Sequence, residues 1–112
     1  MAKVFGIHEI ELRPDVTADA FEQFARDVLT STGGGCTIRI LKGDRGARAD
    51  KYLTLMEFDT VETRDRWFPV AGGDAGPEAQ QYMNQIIEQW STFVASTAGA
   101  PGTWTDYVEI TS

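Results

Sequence analysis

Four side chains in this sequence could together move a proton and hold the charge that results: Glu9, Arg39, Glu57 and Tyr107. All four sit in segments of period-2 alternation, on the same parity. A carboxylate beside a guanidinium stays ionised, whereas one in an apolar pocket has a raised pKa and exchanges protons near neutral pH. Such a set could take a proton from an activated phenol or a lactone, with Arg39 holding the oxyanion. The competing reading is an inter-subunit salt-bridge network, which needs no substrate.

Three further residues are candidates for contacting a ligand: His8, Trp67 and Tyr82. His8 is the only histidine and could act as acid or base near neutral pH. Its parity points it toward the helices, where a hydrogen-bonded core or edge histidine is the plainer reading. Trp67 and Tyr82 flank the Gly-rich stretch 72–76 and could wall a pocket for a flat hydrophobic molecule, with that stretch as a lid. Aromatic residues at helical spacing are otherwise core, as expected for Trp90.

Other chemistries are poorly supplied. A metal site needs three or four ligands, and neither His8 nor Cys36 has a His or Cys neighbour at ligand spacing, so no metal and no cofactor is expected. Cys36 follows three glycines with no base beside it, which argues against a nucleophile. Lys42, Arg45, Arg48 and Lys51 form a local positive patch that could draw an anionic ligand. The glycines of GDRG do not have P-loop spacing, and a solvated loop is the simpler account.

The elements that position these residues follow from period and punctuation. Lys3 to Arg13 alternates as a strand and is stopped by Pro14. Phe21, Phe24, Val28 and Leu29 recur at helical spacing over Thr17 to Ser31, with Thr17 as N-cap and Gly33 to Gly35 as the stop. Cys36 to Lys42 and Lys51 to Asp59 are two strands joined by the polar loop Gly43 to Asp50, so an antiparallel hairpin is expected. Val61 to Pro69 reads as a short helical turn. Pro77 opens a long helix carrying Tyr82, Ile86, Trp90, Phe93 and Val94 and ending near Ala98. Thr103 to Thr111 is the last strand.

This order, β-α-β-β-α-β, predicts an α+β, ferredoxin-like βαββαβ fold: a four-stranded antiparallel sheet with two helices on one face, in a single domain spanning 1–112. One strand parity (Val4, Ile10, Leu12, Ile38, Ile40, Met56, Phe58, Val108, Ile110) should meet the helices. The other carries Phe5, Ile7, Leu41, Leu53 and Leu55 among the charged candidates. So much apolar surface on an uncovered face marks an interaction surface, and a second copy presenting the same face would cover it as a homodimer.

Bulk properties agree with a globular domain: 112 residues, 42% hydrophobic and 24% charged. A net charge of −7 disfavours nucleic acid and anionic membrane as partners. With no signal-like opening and no apolar run of membrane-spanning length, the expected location is cytoplasmic.

The pattern resembles the dimeric α/β-barrel superfamily. The resemblance rests on an opening strand ending in Arg13 and Pro14, a Phe-rich helix with Phe21 and Phe24, and the aromatic turn Trp67, Phe68, Pro69 after the third strand. It covers nearly the whole chain as topology. It implies a homodimer closed into a barrel, and a relationship to cofactor-independent monooxygenases, isomerases, haem proteins and stress-related dimers acting on or binding small molecules. In that company the site lies between sheet and helices or inside the barrel. The function implied is a monooxygenase- or isomerase-like enzyme for a small aromatic or polyketide-like compound; the alternative is a non-catalytic binding or structural dimer.

Overall fold

The computed structural model describes residues 2–29, 32–69, 75–95 and 104–110. In chain order they form β1 (Val4–Ile10), α1 (Ala18–Phe24) continued by a π-helical turn (Ala25–Leu29), β2 (Thr32–Gly33), β3 (Cys36–Lys42), β4 (Tyr52–Phe58), α2 (Val61–Trp67), α3 (Pro77–Phe93) and β5 (Trp104–Val108). The sheet order is β2-β3-β4-β1-β5, every pairing antiparallel. The α+β class is as expected, with four long strands.

Local chemistry sets the boundaries. Thr17 and Thr60 cap α1 and α2, each hydroxyl accepting a backbone N–H (Ala20 and Thr63, both at 3.1 Å). Pro77 occupies the first turn of α3. Before it, Gly76 donates its N–H to the Trp67 carbonyl at 2.7 Å, and a Cβ at residue 76 would stand 2.1 Å from the Arg66 carbonyl oxygen. No larger residue fits that approach.

Several expectations need correction. The glycines after α1 do more than stop a helix: Gly34 and Gly35 (φ +59 and +81) close a tight hairpin, so Thr32–Gly33 pairs with Cys36 and Thr37 as a fifth, two-residue strand. The residues after β4 form a two-turn helix, α2, so the described residues hold three helices rather than two. The long helix ends at Phe93 rather than near Ala98, because Val94 turns extended and bridges Leu12. Around that bridge the Arg13 N–H donates to Phe93 O and the Ala95 N–H to Glu11 O.

Strand parity holds in the register. Val4, Ile10, Ile38, Ile40, Met56 and Phe58 face the helices and build two clusters. The first joins Ile10 and Tyr52 to Phe21, Phe24, Ala25 and Val94. In it Phe21 meets Tyr52 edge-on at 5.0 Å, and Phe24 stacks on Phe93 at 5.0 Å. The second joins Val4, Cys36, Ile38 and Phe58 to Trp67 and Ala79, with Trp67 and Phe68 both edge-on to Phe58. Val108 and Ile110 share the helix-side parity but are not covered: they are 49% and 96% exposed. Edge strand β5 therefore contributes little to the core.

Candidate functional site

The open face of the sheet carries the four proposed catalytic residues but does not gather them. Strand pairing aligns Thr37, Glu57, Phe5 and Tyr107 in one row and Arg39, Leu55, Ile7 and Thr105 in the next. Glu57 is clamped: Lys3 Nζ lies 3.0 Å from one carboxylate oxygen and Arg39 Nη1 3.5 Å from the other. Tyr107 is exposed, two strands away in the same row. Glu9 faces Leu53, four residues along β1 from Phe5, which is about 13 Å at strand rise. Its ion partner is Arg48, at 3.8 Å. Arg39, Glu57 and Tyr107 thus share one end of the face, and Glu9 belongs to a separate ion pair.

On the helix side, polar residues interrupt the sheet where apolar ones would be expected. Val4 and Ile10, at the ends of β1, belong to different clusters. Between them on the same parity lie Gly6 and His8. His8 is flanked by Thr54 on β4 and Trp104 on β5, and Gly6 by Met56 and Asp106. Helix α3 spans both clusters, with Tyr82 packed against one and Ile86, a turn later, against the other. A polar row of Gly6, His8, Thr54, Trp104 and Asp106 therefore lies between the two cores on this face.

The polar row has defined electrostatics. Burial lowers the pKa of His8 below its ordinary value, so the imidazole is neutral at pH 7 and keeps one donor and one acceptor nitrogen. Thr54 Oγ1 is buried and has no hydrogen-bond partner among the described residues. Asp106 is held by Arg64 of α2, with Nη1 to Oδ2 at 2.8 Å. Its hydrogen bonds to Asp65 and Asp106 raise the Arg64 pKa. Trp104, at the outer edge, is 38% exposed. The row thus sets a neutral base beside a hydroxyl with no partner among the described residues, and the space beside Gly6 is filled by the Asp106 carboxylate.

Trp67 and Tyr82 come together in the second cluster, as the sequence reading paired them, but as core walls. Trp67 is buried, and its Nε1–H has no acceptor among the described residues. Tyr82 is half-buried, and burial pushes its phenol up to about 12. Of the proposed lid, residues 72–74 lie outside the described residues. Cys36 is buried beside Asp59 and Glu78; desolvation and those carboxylates push its thiol up to about 12. The loop cations are largely spoken for: Lys42 pairs with Glu22, Arg48 with Glu9 and the Tyr52 carbonyl, and Arg45 with Asp44. Among the described residues no group of three or more His, Cys, Asp and Glu is placed to hold a metal ion. No helix among them is long and apolar enough to cross a membrane.

Thr54, Asp106, Arg64 and Trp104 were missed as site residues. The signal was present: Gly6, His8, Thr54 and Asp106 all break the apolar parity of their strands at mid-length. In comparisons with known proteins, the chain matches no family model, no curated protein and no solved structure.

Proposed function

We propose that this chain is a ferredoxin-like unit of the dimeric α/β-barrel kind. It binds a small aromatic or polyketide-like molecule in a trough that opens over this polar row, between sheet and helices, and His8 serves as the base that takes the ligand's acidic proton. The observation that carries the reading is the polar middle of an otherwise apolar sheet face, where neutral His8 stands opposite the unpartnered Thr54 hydroxyl. An enol or hydroxyquinone more acidic than the imidazolium of His8 would pass its proton to His8, and Thr54 would donate to the resulting oxyanion. The antiparallel order, with β1 between β4 and β5, supports the ferredoxin-like part.

The homodimer reading rests on the open face. Phe5, Ile7, Leu53 and Leu55 form its centre with no helix above them among the described residues, and Leu41 and Tyr107 are exposed beside them. A second copy presenting the same face would cover this patch.

Hydroxylated naphthoquinones and enol lactones, screened by thermal shift, test the site. Ligand at about 100 times its Kd adds roughly 2.7 kcal/mol. A hit abolished by His8→Gln together with Thr54→Val supports the trough. A hit unaffected by that pair, or no hit across both classes, counts against it. A second reading keeps the dimer and binding and drops the reaction, favoured by the clamp on Glu57, whose two oxygens are both engaged by cations. Under it, His8→Gln weakens binding but no turnover of a bound compound is detected in the wild type.

A further inference from the structure

We infer that the free edge of β5 pairs with the same strand of a second copy, a contact distinct from the open face of the sheet. Among the described residues β5 ends the sheet, hydrogen-bonded only to β1. The Glu109 N–H donates to Lys3 O at 2.9 Å, and in an antiparallel ladder the bonded pairs alternate. The main-chain groups of Trp104, Asp106 and Val108 therefore point away from β1, along the open edge.

Sheet edges are normally guarded by lysine, proline, bulges or a covering element. The opposite edge follows that rule: β2 covers Cys36 and Thr37, and Arg39 and Lys42 stand on the rest of β3. The WTDYV segment of β5 has no Lys, Arg or Pro, and Trp104, Tyr107 and Val108 are 38%, 54% and 49% exposed.

The strand is also complementary to itself. A two-fold axis at Asp106 sets Trp104 opposite the copy's Val108 on the helix side, and Thr105 opposite its Tyr107 on the other face. About six main-chain hydrogen bonds would form. Two Asp106 residues would meet at the axis, and like charges directly opposed are destabilising. Here the carboxylate leans away, with Oδ1 over Gly6 and Oδ2 on Arg64 of its own chain. The charge most opposed to self-pairing is thus neutralised within each copy.

Light scattering of the full chain across a wide dilution series, with Val108→Pro, tests this. That substitution removes an outward N–H and leaves the ladder to β1 intact, the one setting in which proline is tolerated on an edge strand. The expected result is a halving of the assembly mass with an unchanged circular dichroism spectrum. An unchanged mass overturns the inference. If Val108→Pro fails to fold, Trp104→Lys puts a charge on the same edge, with the same two outcomes. Leu55→Glu, on the open face, separates this contact from the proposed face-to-face dimer: its failure to change the mass counts against that dimer alone. A wild-type chain that stays monomeric throughout overturns both and leaves the edge to a strand of another protein.

Discussion

Gly6 and Asp106 face each other across the β1–β5 pairing, and the Asp106 carboxylate occupies the room a side chain at residue 6 would need. A Cβ there would stand 3.0 Å from Oδ1. The missing side chain lets the carboxylate lie back over β1 and meet Arg64 on α2, tying edge strand to helix through the centre of the sheet.

Gly6→Val should therefore cost about 2 kcal/mol, the range of overpacking a closed site. Urea midpoints measure it. In an Asp106→Ala background the same substitution should cost markedly less, because the crowded oxygen is gone. Equal costs in the two backgrounds would show that Asp106 is not what the new side chain meets.

Burial depresses the pKa of His8 below the 6.5 of the unfolded chain. Below about pH 6.5 the unfolded state then binds more protons than the folded one, so stability declines as pH falls from 6.5 toward the folded pKa, and is flat above. His8→Gln should flatten that decline between pH 6.5 and 5, measured by urea unfolding at each pH. Glu22 acts in a separate window. Hydrogen bonds from Tyr52 and Lys42 lower its pKa, so its contribution is present above about pH 4.5 and lost as pH falls through the folded value.

Thr54→Val should move stability and binding in opposite directions. Replacing a buried, unpartnered hydroxyl by a methyl of the same shape removes a desolvation penalty, so the ligand-free protein should gain about 1 kcal/mol. Affinity for a hydroxylated ligand of the trough should drop about tenfold. A loss of stability in the free protein would mean the hydroxyl is satisfied by an ordered water.

Cys36 should resist modification in the folded chain. With its thiol pushed up to about 12 by burial and by Asp59 and Glu78, the thiolate is scarce at pH 8. A disulfide reagent such as DTNB at pH 8 should label it slowly in the native protein and at once in denaturant. Equal rates would refute the buried placement.

Much of this architecture was legible in the sequence, because alternation assigns faces without knowledge of the fold. Val4 and Ile10 went to the core, Phe5 and Ile7 to the open face, and Trp67 and Tyr82 to one neighbourhood. Alternation does not give position along the strand, so Glu9 and Glu57 share a face yet belong to separate ion pairs. The end of α3 was hidden for another reason. Nothing near Val94 stops a helix; Leu12, some eighty residues earlier, draws it into a bridge. Two-residue β2 is too short for any periodicity, and only the handedness of Gly34 and Gly35 makes it. The polar row gives no periodic signal of its own, because its members are the exceptions on the buried parity.

The placement of β1 between β4 and β5 also sets the order in which the molecule can assemble. The β3–β4 hairpin needs only the loop between its strands. Strand β1, however, becomes an interior strand, and its second neighbour lies about a hundred residues downstream, a long-range pairing of the kind that slows folding. Until β5 pairs, one side of β1 has no partner, and a chain interrupted before residue 104 would turn this largely apolar interior strand into an edge. Such a fragment would carry unpaired main chain along that new edge, which makes pairing of β5 the step on which escape from aggregation depends.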